Sequence, residues 1–220
     1  RKGLPTTLTT GVKYAEKALQ LAPNNIEAEL ALGAILVLMG ETDRAEQSYR
    51  RVYLKGKTYD ACSGLISSYL KMNDLESALR TVNEVYQVNQ TLPRTRQNPR
   101  ILVLFAKVCV RFDGGNEKAK VLLQNALTLD PLCGDALLAL ADLHCAEKNA
   151  SPAIALLKKN MHCIRPDVGN TTLGKCYMMQ NKYAEAITYF DLALKSNPEY
   201  HQALSGSKKA CKLLDGGSDD

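Results

Sequence analysis

Tryptophan is missing from this 220-residue chain, and aromatic residues make up only 6% of it. That scarcity suits a core of helices packed through Leu, Ala and Tyr. Long apolar runs are missing too. The longest, Leu30 to Met39, is flanked by Glu29 and Glu41 and falls short of the roughly 20 apolar residues that a membrane-spanning helix needs. Histidine occurs three times and there is no Ser-His-Asp order to defend, so nucleophilic catalysis has no foothold. Cysteine is present without a pattern. Cys62, Cys109, Cys133, Cys145, Cys163, Cys176 and Cys211 are odd in number and lack framework spacing, which fits a reducing compartment. On that reading the sequons at Asn89, Asn149 and Asn170 carry no glycan. No secretory signal is visible; the chain opens Arg1-Lys2-Gly3 without a methionine and is expected to be a fragment of a longer protein.

What is there is a repeat. Leu32, Gly33, Leu36, Gly40, Ala45, Tyr49 and Val52 fall where the tetratricopeptide (TPR) pattern of about 34 residues places them, with Leu-Gly in helix A, a small residue early in helix B and an aromatic four further on. The expected unit is a helical hairpin crossing so closely that Gly33 and Ala45 leave no room for larger side chains. The small residue recurs as Gly11, Ala45, Ala78, Ala119, Ala153 and Ala186, in steps of 34, 33, 41, 34 and 33. Four residues after each stand Ala15, Tyr49, Val82, Leu123, Leu157 and Phe190, a mostly large apolar set. Helix-ending prolines recur as Pro23, Pro131 and Pro198, with a shifted Pro166, because a chain cannot continue a helix through them. One hairpin cannot bury its own apolar face, so hairpins stack. The fold expected is all-α: a TPR superhelical solenoid of antiparallel helix pairs, about five full repeats plus a leading helix and a C-terminal capping helix. Tyr69, Gly174 and Tyr177 complete the packing signature.

Along the chain, 1–25 reads as the end of a truncated repeat, an orphan helix B over 7–22 stopped by Pro23-Asn24-Asn25. Full repeats are expected at 26–58, 59–99, 100–133, 134–166 and 167–200. In the second, Asp74 is the expected cap of helix B. Helix B should stop near Gln87, leaving a polar, proline-bracketed insertion at 88–99 that carries Arg94 and Arg96 and accounts for the long step. Helix A of the third repeat is expected from Leu102 to Val110; in the fourth, Ser151-Pro152 is expected to open helix B as cap and first-turn proline. Residues 201–214 form a capping helix with Leu204, Ser207, Cys211 and Leu214 on one stripe, and 215–220 an acidic, disordered tail.

Metal and nucleotide chemistry find little support. His144-Cys145 and His162-Cys163, with Cys133 and Cys176 nearby in sequence, match no standard zinc spacing. Gly114-Gly115-Asn116-Glu117-Lys118 lacks the spacing and preceding strand of a phosphate loop and reads as an inter-helix turn. No cofactor is expected. The net charge of +5 is not laid out as a basic stripe in register with stacking aromatics, so no nucleic-acid partner is expected either, nor a membrane one. What remains is binding. Helix A lines the concave groove of a TPR array, and the groove-facing positions here are Asp60, Ser63, Ser67 and Lys71, then Leu138, Asp142 and Cys145, then Thr171, Lys175 and Met178; Arg94 and Arg96 make the insertion a second contact candidate. The Lys-Asn clamp with which chaperone-binding TPR domains hold a C-terminal carboxylate is matched in no repeat: the corresponding pairs are Leu30 and Ala34, Ser63 and Ser67, Leu138 and Asp142, Thr171 and Lys175.

Some residues go beyond the general TPR pattern. The tract Asp60 to Leu70, Val108-Cys109, the run Glu117-Lys118-Ala119-Lys120 with Leu122-Leu123 and Ala126-Leu127, and Ile154 to Leu157 resemble the C-terminal TPR half of the subunit-seven family of the anaphase-promoting complex. The likeness runs from about Tyr14 to Lys212. Asp60, Cys109 and the Glu-Lys-Ala-Lys run carry it, since they are not TPR consensus residues. The resemblance implies a non-catalytic scaffold piece of a cullin-RING type ubiquitin ligase that controls mitotic progression, found in nucleus and cytoplasm. It also implies other TPR subunits as partners, notably subunit three, and homodimerisation of the parent through an N-terminal half not contained in this chain. Two other readings stand beside it: a TPR adaptor that takes a peptide or helix of another partner in its groove, and a regulatory domain attached to an enzyme upstream of Arg1.

Overall fold

The computed structural model describes residues 6 to 216; the remainder of the expected acidic tail lies outside the described residues. The described residues form α-helices and two short 3₁₀ turns, with no strand among them. The helices are α1 (Thr6–Leu21), α2 (Ile26–Met39), α3 (Thr42–Lys55), α4 (Tyr59–Met72), α5 (Leu75–Thr91), α6 (Pro99–Cys109), α7 (Gly115–Leu129), α8 (Gly134–Ala146), α9 (Ala150–Asn160), α10 (Pro166–Met179), α11 (Tyr183–Ser196) and α12 (His201–Leu214). Contacts group them into two units. The first holds α1 to α5 with Lys107–Gly115; the second holds Asn98–Ala106 and everything from Asn116 on.

Within the first unit each helix packs on the next, and α2 also touches α4. Within the second, α8 to α12 pack in the same serial way, with α8 on α10 and α10 on α12. Within each unit, helix A therefore packs on helix A: α2 on α4 in the first, α8 on α10 and α10 on α12 in the second.

The turn between helices A and B is made the same way throughout. Gly40 (φ 79°), Asn73 (φ 59°), Gly114 (φ 70°), Lys148 (φ 58°) and Asn181 (φ 58°) each take the left-handed conformation, five residues before the small helix-B residue. Glycine and asparagine enter that region cheaply and lysine does not, so Lys148 is held there by its surroundings. Capping fixes the helix starts. Asn25 accepts from the backbone N–H of Ala28 at 3.0 Å, and Asp74, as expected, accepts from Ser77 at 3.0 Å.

The helix-B series is buried as its spacing predicts: Ala45, Ala78, Ala119, Ala153 and Ala186 are all fully enclosed, and Tyr49, Val82, Leu123, Leu157 and Phe190 lie in the core. The space that Gly33 leaves is taken by Tyr49 rather than by Ala45: a Cβ on Gly33 would sit 2.8 Å from the Tyr49 ring. Gly64 of the following helix A closes the other side, where a Cβ would come within 2.3 Å of the same ring. Phe190 is held likewise between Gly174 and Gly206, at 2.7 and 2.5 Å. A large ring fits there because both walls lack a side chain. Tyr177 stacks on Tyr189 beside it, centroids 5.2 Å apart.

Four local expectations are corrected. α5 runs on to Thr91 and is followed by a 3₁₀ turn, Arg94–Arg96; the buried Asn89 carries the helix past Gln87, so much of 88–99 is helical rather than loop. α6 starts at Pro99, earlier than Leu102, with a proline whose fixed φ suits the first helical position. α9 starts at Ala150, with Asn149 rather than Ser151 at the cap position, because Ala150 is drawn into the core around Leu137 and Ala153. In α12 the buried stripe is Ala203 and Ala210 with Gly206 against Phe190, while Cys211 and Leu214 are exposed. The narrow face packs because the Phe190 ring leaves no depth for leucine.

Candidate functional site

In the first unit, Asp60, Ser63, Ser67 and Lys71 recur at helical spacing along one side of α4. Asp60, Ser67 and Lys71 are exposed and Ser63 is half-buried. Lys71 reaches back to the preceding helix A, its Nζ donating to the Val37 carbonyl at 3.4 Å. Several carboxylates and phenols elsewhere in this unit are engaged with partners. Tyr53 and Lys57 both donate to Glu84, at 2.8 and 2.9 Å, and with Lys57 first these bonds hold the Glu84 carboxyl below its ordinary pKa. Burial, then Glu84, pushes the Tyr53 phenol up. Arg50 donates to the Tyr69 hydroxyl at 2.8 Å, which donates to Glu46 at 3.1 Å. These groups are tied to one another rather than poised for proton transfer.

In the second unit, Leu138 and Asp142 lie on α8, and Lys175 on α10 donates to Gln202 of α12 at 2.9 Å. Met178 is half-buried against the core around Phe190. Thr171 is a correction: it is 1% exposed and its hydroxyl donates back to the Asp167 carbonyl at 2.7 Å, because that turn of α10 is wrapped by core on all sides. It offers nothing to a partner. Arg94 and Arg96 are exposed on the 3₁₀ turn.

A cleft of about 670 Å³ opens in the second unit. Cys133, Leu138, Ile164 and Val168 give it an apolar floor; Arg100 and Arg165 stand at it, both substantially exposed. Arg100 pairs with Asp135 at 2.7 Å and Arg165 with Asp167 at 2.6 Å. The Arg165 guanidinium, with help from Asn197, holds the Asp167 carboxyl below its ordinary value against the effect of burial. Of the residues expected on the groove, Leu138 alone lines this cleft. Reading helix-A stripes missed Arg100 and Arg165 because they sit at helix starts, where linkers and not helix faces build the walls.

Among the described residues no three His, Cys, Asp or Glu side chains converge as metal ligands. No described helix is long and apolar enough to cross a membrane. Cys145 turns to Cys176, sulfur to sulfur at 2.9 Å. The arrangement offers extended helix faces and an amphipathic cleft.

Helical hairpins of this length, stacked A on A, define a TPR protein, and the tetratricopeptide repeat family model matches residues 169–200. A thermophilic TPR protein from Thermus thermophilus has the same fold over 86% of this chain and 99% of its own, at TM-score 0.70 and 20% identity. The crystal structure of the APC/C hetero-tetramer Cut9-Hcn1 matches over 93% of this chain and 40% of that one, at TM-score 0.62 and 17% identity. In sequence, the chain is similar to the Homo sapiens protein named anaphase-promoting complex subunit 7, 32% identical over 194 residues and 88% of this chain. The chain spans about a third of the length of that relative, 33%.

Proposed function

We propose that this chain is a non-catalytic TPR segment of a subunit of the anaphase-promoting complex, of the subunit-seven type. Its work is protein-protein binding inside a multisubunit ubiquitin ligase that controls mitotic progression; no bond is made or broken on it. One observation carries the reading: similarity to a protein of that name, at 32% identity, runs along 88% of the chain. The partners are other TPR subunits, notably subunit three, and the parent homodimerises through a region outside this chain, in nucleus and cytoplasm. Paired carboxylates and exposed helix-A side chains support binding over catalysis.

A second reading, a TPR adaptor holding a peptide or helix of an unrelated partner, is favoured by the cleft with its apolar floor and arginines. Affinity capture of the tagged full-length parent from dividing cells, followed by mass spectrometry, separates the two. Recovery of the other TPR subunits with a cullin-like scaffold is the expected result. Recovery of chaperones or motors without them overturns the ligase reading and favours the adaptor.

A further inference from the structure

Cys145 on α8 and Cys176 on α10 belong to consecutive A helices that pack directly on one another. They lie 31 residues apart in sequence, and their Sγ atoms are 2.9 Å apart. Cys176 is fully enclosed, and Cys145 is half-buried and reachable from solvent. From this juxtaposition we infer that Cys145 and Cys176 are a redox pair, closed by thiol-disulfide exchange into a disulfide that staples α8 to α10.

The roles differ. The contact with Cys176, in which either sulfur can be the donor, lowers the Cys145 pKa against the opposing effect of burial and the nearby Asp142. Cys145 is the attacking sulfur, because of the two it alone is reachable by a co-reactant from solvent and the thiolate is the nucleophile in exchange. With oxidised glutathione as the co-reactant, the Cys145 thiolate attacks one sulfur of the glutathione disulfide. The Cys145-glutathione bond forms and one glutathione thiolate leaves. Cys176 is pushed up first by its bond to Cys145, then by burial. Capping removes the negative charge at Cys145, so that part of its hindrance vanishes. Cys176 then attacks Cys145 Sγ, and its proton passes to the departing sulfur, so that the second glutathione leaves as the thiol. Two protein thiols are oxidised and one glutathione disulfide is reduced to two thiols.

Proximity makes this pair the first to close. The folded chain already holds the two sulfurs in contact, whereas exposed Cys211 must find its partner by collision. The inference concerns this chain's own cysteines and does not depend on which complex it joins.

The test equilibrates the purified chain in mixtures of reduced and oxidised glutathione, blocks remaining thiols with N-ethylmaleimide, and maps the products by mass spectrometry. Tryptic cleavage combined with cleavage before Asp142 separates Cys145 from Cys133. The expected result is one disulfide, with two hydrogens lost, joining the Cys145 and Cys176 peptides at potentials where the other cysteines are still alkylated. Oxidation should raise the melting temperature by roughly 5–10 °C, since the bond closes a loop of about 30 residues. Cys145→Ser and Cys176→Ala should each abolish both changes. Independent alkylation of Cys145 and Cys176 while another site is glutathionylated or bridged overturns the inference. The mapping uses the unmodified sequence, so a variant that fails to fold does not blunt it.

Discussion

Two neighbouring hairpins of the second unit fill one position in opposite ways. In α10–α11 a phenylalanine occupies it and both facing walls are glycine, Gly174 and Gly206. In α8–α9 a leucine, Leu157, occupies it and shares its core with Ala141, the residue at the Gly174 position. Tyr49 between Gly33 and Gly64 repeats the aromatic version in the first unit. The TPR pattern therefore constrains a summed volume, knob plus walls, because a close-packed interior tolerates neither a void nor an extra methylene. The choice of residue at any one position is free so long as its partners compensate.

The sharpest way to break that comparison is to empty the aromatic site. Phe190→Ala should cost about 3–5 kcal/mol by leaving a cavity whose glycine walls cannot collapse into it. Leu157→Ala should cost less, about 2–4 kcal/mol, because a smaller side chain is removed. Chemical denaturation of both variants checks the order; a larger loss at Leu157 would mean that the aromatic site is not the tighter one.

Overfilling should come next. Gly174→Leu forces atoms into a space where even a Cβ lies 2.7 Å from Phe190 and should cost about 3 kcal/mol. Gly174→Ala should cost less, and Phe190→Leu in the same chain should recover part of that loss by recreating the α8–α9 solution. A double-mutant cycle with no coupling would show that the two residues do not share one volume.

Electrostatics contributes less. Asp167 is depressed mainly by Arg165, and a carboxylate whose pKa falls on folding stabilises above its unfolded value and loses that contribution as pH drops through the folded one. The loss should begin below pH of about 4, the ordinary aspartate range. Because Arg165 is exposed, solvent screens the pair and the effect should be smaller than that of any core change above. Melting curves of the natural chain and of Asp167→Asn should converge as the pH falls through that window. A gap that stays constant with pH would remove the ion pair from the account. Asn25→Ala, which deletes the cap on Ala28, should cost about 1 kcal/mol at any pH.

Much of this fold is legible in the sequence, since helix-B spacing and the Leu-Gly pair report directly on packing. The turn residues Gly40, Asn73, Gly114 and Asn181 could have been read as a series, whereas Lys148 could not. The second wall, Gly64 and Gly206, was hidden because it belongs to the next repeat. The candidate site was less legible. Thr171 has the spacing of a groove residue and the burial of a core one, and the cleft arginines lie at helix starts that periodicity does not describe. A helix face can be inferred from period alone; what stands at the end of a helix depends on the path of the chain between helices.

The smallest effect is expected where the aromatic and aliphatic hairpins give no guidance at all. Arg94 and Arg96 occupy a short 3₁₀ turn with exposed side chains, and surface changes of this kind usually stay within about 0.5 kcal/mol. Arg94→Ser with Arg96→Ser should therefore leave the melting curve in place. If the segment is a contact, capture of partners by the tagged parent should fall while folding is unchanged, a split that no hairpin variant can produce. If capture is unchanged too, 88–99 is only a connection, and partner binding must then be sought on the A-helix faces and the cleft.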